Sequence, residues 1–223
     1  MSIMSKGFFV TGTDTEIGKT HVSGCIGHTL VKLGHQVIPY KPIASGCIRP
    51  NNNTLLSEDA LFLQQACQSL YTLEQICPFR FEAAISPQLA ISQSNEHISI
   101  EDLASNIIFE KNAITLVEGA GGFYSPIASD GLNSDLAKQL GLPVILVVGD
   151  RLGCINHALL SIEAIGNAGL DLKAVVVNQL SPNSHYSLGL EDFTDAPIYH
   201  TPYQTQLTPT EVSTALINLL LSE

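Results

Sequence analysis

The stretch that decides the fold is Gly12-Thr-Asp-Thr-Glu-Ile-Gly-Lys-Thr20, which follows the apolar run Gly7-Phe-Phe-Val-Thr-Gly12. An apolar run before a glycine-containing loop predicts a strand, and the segment from Lys19 onward predicts a helix. Glycines let backbone N–H groups turn towards phosphate oxygens, and a helix N-terminus adds positive potential. Lys19 can neutralise phosphate charge, and the Thr20 hydroxyl can ligate Mg²⁺. The stretch therefore predicts a phosphate-binding loop, or P-loop.

The spacing of this loop departs from the usual G-x₄-G-K-[ST] pattern. That pattern places a glycine where the chain has Thr13, so that Gly12 stands one residue further from Gly18. An ordinary glycine-containing turn is the alternative interpretation. The Gly-Lys-Thr ending, between a predicted strand and a predicted helix, favours phosphate binding over that alternative.

Composition excludes several classes of protein. The chain has 223 residues, of which 45% are hydrophobic and 14% charged, and this predicts one folded domain over 1–223. A formal net charge of −11 repels phosphate backbones and anionic lipid, so neither nucleic acid nor a membrane is an expected partner. The apolar runs are shorter than the roughly 20 residues of a membrane-spanning helix. Without an export pattern or a C-x-x-C pair, we expect a cytoplasmic protein with reduced cysteines.

Apolar runs rich in β-branched residues alternate with segments of helical period along the whole chain. The predicted strands are Gly7–Gly12, Gln36–Tyr40, Ala113–Val117, Val144–Val148, Ala174–Val177 and Pro197–Tyr199. The predicted helices are Lys19–Leu33, Glu58–Gln68, Ile100–Glu110, Ser134–Leu140, Ile155–Ala168 and Pro209–Leu221. This alternation predicts a three-layer α/β fold, a doubly wound and mainly parallel sheet of P-loop NTPase type. Ligands of such a sheet bind outside the carboxyl ends of its strands.

Glycine and hydroxyl residues mark the predicted helix ends. Gly34, Gly141 and Gly169 stand where helices are expected to stop, because glycine adopts a left-handed backbone at no steric cost. Ser99 and Thr208 precede predicted helices, and both are expected to act as N-caps.

The predicted strand ends carry charged candidates. Glu118 follows the third strand and precedes Gly119–Gly122, so a carboxylate stands beside a backbone that can approach a ligand closely. Asp59 near a helix start is a second candidate, although it and Glu58 also suit the helix dipole. Mg²⁺ with a bound triphosphate takes one or two carboxylates. Lys41, after the second strand, is a candidate anion ligand, with an exposed surface lysine as the alternative.

The remaining strand ends carry polar groups. Asn178 ends the fifth strand and Pro202 follows the sixth, where polar groups can contact a nucleotide base, although asparagine also commonly caps a turn. The segment Gly149–Asn156 places a glycine and exposed N–H groups at a helix start, which suits a carboxylate. Each predicted strand end thus carries a plausible ligand group, as a doubly wound sheet requires.

Two further patterns are interpreted as structural. His21, His28 and His35 recur every seven residues, whereas metal chelation from one helix uses i, i+4 spacing, so surface or edge-packed histidines are expected. Cys154 lies near the predicted crevice without an evident base. We therefore expect it to pack rather than to act as a nucleophile.

Together, four segments resemble the dethiobiotin synthetase family. They are Gly12–Thr20, Tyr40-Lys-Pro-Ile-Ala-Ser-Gly46, Glu118–Gly122 and Leu152-Gly-Cys-Ile-Asn-His-Ala158. The resemblance runs in order from the first strand to at least Asn178 and includes the family's P-loop, which is one residue longer than usual. It implies a ligase of biotin biosynthesis that makes the ureido ring of dethiobiotin from 7,8-diaminononanoate, CO₂ and ATP.

The resemblance also implies roles for individual residues. Lys41 would be the catalytic lysine, acting with Lys19. ATP would be bound by Glu16, Ile17, Gly18, Lys19, Thr20, His21, Asp59, Glu118, Gly119, Ala120, Gly121, Asn178, Gln179, Pro202, Tyr203 and Gln204. Mg²⁺ would be held by Thr20, Asp59 and Glu118. The diamine would contact Lys41, Ser45 and, across a homodimer interface, Gly153, Cys154, Ile155 and Asn156.

Three other nucleotide-binding classes fit less well. A ParA/MinD-like switch ATPase carries a signature lysine at the position of Asp14. A regulatory GTPase carries N-K-x-D where this chain has Asn178-Gln-Leu-Ser181. Cobyrinate-type amidating synthetases carry a glutaminase domain for which the chain has no room. Gln179 stands where dethiobiotin synthetases often have aspartate, so relaxed nucleotide selectivity is expected.

Overall fold

The computed structural model describes residues 6–50 and 54–222, and its centre is a six-stranded sheet in which every pairing is parallel. The strands are β1 (Lys6–Gly12), β2 (Gln36–Tyr40), β3 (Ile43–Ala44), β4 (Phe79–Arg80), β5 (Ala113–Gly122), β6 (Val144–Asp150), β7 (Leu172–Gln179) and β8 (Ile198–Thr201). The order across the main sheet is β2-β5-β1-β6-β7-β8. Strands β3 and β4 form a separate parallel pair.

Helices cover both faces of this sheet. They are α1 (Lys19–Lys32), α2 (Glu58–Ala66), α3 (Leu73–Ile76), α4 (Pro87–Ser94), α5 (Ile100–Ser105), α6 (Asn133–Leu140), α7 (Cys154–Asn167) and α8 (Thr214–Leu221), with a 3₁₀ helix at Leu190–Asp192. One apolar cluster joins the sheet to α4, α5, α6 and α7, and the other joins it to α1 and α8. Neighbouring residues of β1 enter opposite clusters, Phe9 the first and Val10 the second. The doubly wound, three-layer prediction is confirmed.

Most sequence signals for helix ends are confirmed. Gly34, Gly141 and Gly169 have φ angles of 88°, 61° and 73°, so each uses the left-handed region at or just after a helix end. Ser99 caps α5, and its Oγ accepts the backbone N–H of Asp102 at 3.1 Å. Among the described residues, no helix is long and apolar enough to cross a membrane.

The predicted C-terminal helix Pro209–Leu221 is wrong at its start, because α8 begins only at Thr214 with Ser213 as its N-cap. Thr208 is therefore not a cap. The preceding chain bonds to α1 instead, where the Val212 N–H donates to Thr29 Oγ1 at 3.0 Å.

The ends of two other elements also differ from prediction. Helix α5 ends at Ser105 rather than Glu110, because the Tyr40 hydroxyl bonds both backbone groups of Ile108, at 3.1 Å and 3.3 Å. Strand β5 continues to Gly122, so Glu118 pairs with Val10 inside the sheet rather than beyond the strand end. No element is predicted at the positions of the strands β3 and β4 or of the helices α3 and α4. Two-residue strands and a four-residue helix are too short for a periodic pattern.

Candidate active site

The P-loop occupies the turn between β1 and α1. The Thr13 N–H donates to the Val147 carbonyl at 3.0 Å, which ties the loop to the neighbouring strand β6. Gly18 has a φ of 87°, and a Cβ at this position would collide with the side-chain amide of Asn178. Only glycine fits there. Helix α1 then begins at Lys19, so its first N–H groups face the loop.

Lys19 is a buried cation with a neutral partner. Its side chain is 6% exposed, and Nζ donates to the Asp14 carbonyl at 2.6 Å. Burial, reinforced by the nearby charge of Lys41, lowers the Lys19 pKa from 10.5 to about 8. Since the partner is a carbonyl rather than a carboxylate, the charge of Lys19 remains available to an anion.

Sheet register brings Lys41 and Glu118 together. Tyr40 at the end of β2 pairs with Val117 in β5, so the next residue of each strand lies beside the other. Lys41 Nζ donates to Glu118 Oε1 at 2.6 Å and to the Gly119 carbonyl at 3.2 Å. Both side chains are almost fully buried.

Asp59 and Thr20 complete this cluster. Asp59 Oδ2 lies 3.1 Å from Lys41 Nζ, and the Thr20 hydroxyl donates to Glu118 Oε1 at 2.8 Å. Asp59 reaches the site because Ser57 caps α2, which places the aspartate in the first turn. Lys41 is the main cause of a lowered Asp59 pKa. Burial disfavours the charged form of Lys41, but Glu118 and Asp59 outweigh it and raise the Lys41 pKa.

One carboxylate oxygen of this cluster is free to bind a ligand. Within the described residues, the buried Oε2 atom of Glu118 has no hydrogen-bond partner. A buried carboxylate oxygen without a partner is costly, so a ligand there is favoured. The neighbouring oxygen ligands, from the Thr20 hydroxyl and the Asp59 carboxylate, are of the hard type that Mg²⁺ prefers. The donor set therefore fits a divalent cation.

Asn133 supports the glycine loop after Glu118, and sequence reasoning missed it. The side chain is fully buried at the start of α6 and bonds both backbone groups of Ala120, at 3.2 Å and 2.5 Å, and the Gly122 carbonyl at 2.7 Å. A Cβ at Gly119 would come within 2.5 Å of its Oδ1. Asn133 thus fixes the backbone that carries Glu118.

Replacing Asn133 by alanine is expected to destabilise the protein by about 1–3 kcal/mol, because it leaves buried backbone groups unpaired. The loosened loop should also raise the KM for ATP while leaving the P-loop intact. Thermal unfolding and ATP titration measure the two effects. Asn106→Ala is the matched control, since that exposed side chain makes one bond to the Asp102 carbonyl at 2.8 Å. Equal effects of the two variants would contradict the role of Asn133.

A pocket of about 250 Å³ opens beside the P-loop. It is lined by Glu16, Gly18, His21, Asn178, Gln179, Leu180, Tyr203, Gln204, Thr205, Gln206 and Leu207. Four of the residues that the resemblance assigns to ATP and that lie beyond the P-loop therefore face one cavity: Asn178, Gln179, Tyr203 and Gln204. Pro202 instead lines the neighbouring cleft, with Asp150 and His185.

The amides of Asn178 and Gln179 tie the walls of this pocket together. Asn178 Nδ2 donates to the Ile17 carbonyl at 3.0 Å, and its Oδ1 accepts the Thr201 hydroxyl at 2.8 Å. Gln179 Nε2 donates to the Ser184 carbonyl at 3.0 Å, and its Oε1 accepts the Tyr203 N–H at 3.2 Å. Both residues thus hold the pocket in shape.

Apart from Lys41, the residues assigned to the diamine lie outside this pocket and the lysine–carboxylate cluster. Ser45 is half-buried directly after β3, close in sequence to Lys41. Gly153 is the N-cap of α7 with a φ of 91°, and Gly153 and Asn156 are exposed whereas Cys154 is buried. This helix start is linked to the P-loop by an ion pair between Arg151 and Asp14, which the sequence did not predict.

Solved structures show the same fold. The signal recognition particle receptor FtsY of Elizabethkingia anophelis superposes with a TM-score of 0.53 at 12% identity, over 100% of this chain and 66% of the receptor. The cell division protein FtsY of Thermotoga maritima gives a TM-score of 0.55 at 12% identity, over 100% of this chain and 70% of its own. At this identity the likeness concerns the fold alone.

Sequence comparisons identify the family as well as the fold. A model of the AAA domain family matches residues 6–213. The ATP-dependent dethiobiotin synthetase BioD of Photobacterium profundum is 40% identical over 194 residues, 86% of this chain and 85% of the relative. Its counterpart in Pseudomonas paraeruginosa is 46% identical over 178 residues, 78% of each chain. With the P-loop, the buried lysine–carboxylate cluster and these relatives in agreement, the chain belongs to the dethiobiotin synthetase family.

Proposed function

We propose that this protein is a dethiobiotin synthetase, which joins 7,8-diaminononanoate and CO₂ into the ureido ring of dethiobiotin and converts ATP to ADP and phosphate. The observation that carries the proposal is the contact of Lys41 with Glu118 and Asp59 next to the P-loop lysine, Lys19. Two cations and two carboxylates at one sheet edge suit a metal-bound triphosphate.

The triphosphate is proposed to lie along the P-loop, at the N-terminus of α1, with Lys19 against its charge. Glu118–Gly121 would border its other side, where Lys41 bonds the Gly119 carbonyl at 3.2 Å. The nucleoside would enter the pocket lined by His21, Asn178 and Gln204. This placement is supported by the continuity of that pocket with Gly18 of the P-loop.

Mg²⁺ is proposed to bind Thr20, Asp59 and Glu118, where the free Oε2 of Glu118 offers a ligand atom. When bound, the ion supplies charge neutralisation to the phosphoryl oxygens. Glu118 and Asp59 also hold Lys41 as a cation, because their charges raise its pKa. Lys41 is therefore a charge stabiliser and hydrogen-bond donor in this mechanism, and not a base.

In the proposed reaction, the nitrogen of one unprotonated amine of the diamine attacks the carbon of CO₂ and loses a proton to solvent, which gives a carbamate. A carbamate oxygen attacks the γ-phosphorus of ATP, the bond to the ADP oxygen breaks, and a carbamic–phosphoric anhydride forms. Lys19 and Lys41 stabilise the charge spread over the transferred phosphoryl group, and the P-loop keeps donor and acceptor in line. The second amine then attacks the carbonyl carbon, and phosphate leaves with the displaced proton.

A homodimer with its active sites at the interface is part of this proposal. The N-terminus of α7, at Gly153–Asn156, would receive the substrate carboxylate from the other subunit. Support comes from exposed apolar side chains on this face, Leu152 at 84% and Leu160 at 59%.

We also propose that residues 1–223 act as one domain in the cytoplasm, which agrees with five free, buried cysteines.

Diamine dependence of ATP turnover tests the proposed function. With Mg-ATP and bicarbonate, we expect ADP release only after 7,8-diaminononanoate is added, and dethiobiotin should appear in equal amount. Coupled ADP detection and mass spectrometry of the product provide the two readouts. Turnover that is equally fast without the diamine would favour a ParA/MinD-like switch ATPase instead.

A further inference from the structure

The chain between β8 and α8 forms the outer wall of the nucleoside pocket. Thr205, Gln206 and Leu207 line that pocket, and all three are exposed. Between Pro202 and Ser213 the backbone has no regular helix or strand. Exposed irregular segments are mobile unless they are tied down, so a wall made from one depends on its anchors. We name residues 204–210 the arch.

Four side chains close a hydrogen-bonded ring at the two ends of the arch. Gln204 Nε2 donates to Thr210 Oγ1 at 2.6 Å, which joins one end to the other. On α1, His21 Nε2 lies 3.2 Å from Gln204 Oε1 and 3.4 Å from Cys25 Sγ. The Thr210 N–H donates to Cys25 Sγ at 3.3 Å and completes the ring.

Two members of the ring are buried in the protein interior. Cys25 is 1% exposed and His21 is 7% exposed, and their i, i+4 spacing puts both on one face of α1. The hydrogen bond between Cys25 and His21 is the main cause of a raised His21 pKa. The next turns of α1 continue the attachment, since Thr29 accepts the Val212 N–H at 3.0 Å and Lys32 pairs with Glu211 at 2.6 Å.

From this geometry we infer that His21 and Cys25 are positioning residues, which hold the arch against the pocket and thereby set affinity for the nucleoside part of the nucleotide. The inference rests on the proposed placement of the nucleotide. The phosphate part contacts a different surface, the P-loop and the lysines, to which the ring contributes no side chain. Loss of the ring should therefore weaken binding of ATP without weakening binding of inorganic triphosphate.

The test compares two ring variants with a matched control. Cys25→Ala and Thr210→Val each remove one ring member, and Thr210 is exposed, so that variant is expected to fold. Cys67→Ala deletes the same atoms as Cys25→Ala from another buried site, with its sulfur beside Gly27. Cys25→Ser keeps a group that can accept the Thr210 N–H and should restore most of the affinity.

Both ring variants should raise the dissociation constant of Mg-ATP by about fivefold to tenfold, as expected for one or two lost hydrogen bonds. The constant for Mg-tripolyphosphate, measured by displacement of a fluorescent ATP analogue, should stay within about twofold. Cys67→Ala should change neither value, and kcat at saturating ATP should be unaffected in all three variants.

Two results would overturn the inference: unchanged ATP affinity in both ring variants, or equal weakening of ATP and tripolyphosphate, which would mean that the ring supports the P-loop. A wild-type protein that binds ATP no more tightly than tripolyphosphate would overturn the nucleoside placement. A wild-type protein that binds neither would overturn the proposed function itself.

Discussion

Replacing Lys41 by alanine is expected to lower the rate of dethiobiotin formation by at least about 10³-fold, while the affinity for Mg-ATP changes only a few-fold. Lys41 contacts Glu118 and Asp59 at the sheet edge, so its charge acts where the phosphoryl group is transferred. Most of the ground-state binding energy is proposed to come from the P-loop instead. Single-turnover rates and equilibrium binding separate the two effects.

The Lys41 variant also changes stability, because it leaves Glu118 buried at 2% exposure without its cationic partner. Breaking a buried pair in this way costs about 3–5 kcal/mol. Thermal unfolding must therefore show that the variant is folded at the assay temperature. Lys138→Ala on α6 is the control, since that lysine is half-exposed and pairs only loosely with Asp135, at 3.8 Å. Full turnover in folded Lys41→Ala would remove this lysine from the mechanism.

Replacing Glu118 by glutamine is expected to raise the Mg²⁺ concentration needed for half-maximal turnover by about tenfold to a hundredfold. The amide keeps the size of the side chain but removes the negative charge and one oxygen. Oε2 of Glu118 is a buried carboxylate oxygen without a partner among the described residues, so the metal should depend on it strongly. Titration of activity with Mg²⁺ at saturating ATP measures the shift.

Glu96→Gln serves as the control for this experiment, because Glu96 is exposed on the loop that follows α4. It should show the wild-type response to Mg²⁺. A Glu118 variant with that same response would mean that the metal binds elsewhere. In that case Asp59 and Thr20 would lose their proposed role as well.

The main site could be predicted from the sequence because parallel strands bring their ends together. Lys41 follows β2 and Glu118 follows the apolar first half of β5, and the order β2-β5-β1 places those two strands side by side. Lys19 and Thr20 stand in a local motif whose geometry is fixed by adjacent residues. Local patterns and fold class therefore suffice for these residues.

Other parts of the site depend on contacts that no local pattern encodes. Asn133 lies 13 residues from the loop that it supports, Arg151 lies 137 residues from Asp14, and Cys25 lies 185 residues from Thr210. Each of these pairs forms only when separate elements pack together. The start of α8 differs from the prediction for the same reason, because the bond between Val212 and Thr29 of α1 holds the chain before Ser213.

The central claim is that ATP phosphorylates a carbamate, and tracing the oxygen atoms of CO₂ tests it most directly. With 7,8-diaminononanoate, Mg-ATP and CO₂ labelled with ¹⁸O, a phosphorylated carbamate passes one carbamate oxygen to phosphorus, and that oxygen leaves with the phosphate. We expect one ¹⁸O atom in each phosphate released during the first turnovers, as measured by mass spectrometry. Phosphate whose new oxygen comes from water would show that ATP is hydrolysed rather than used to activate the carbamate, and would contradict the proposed mechanism.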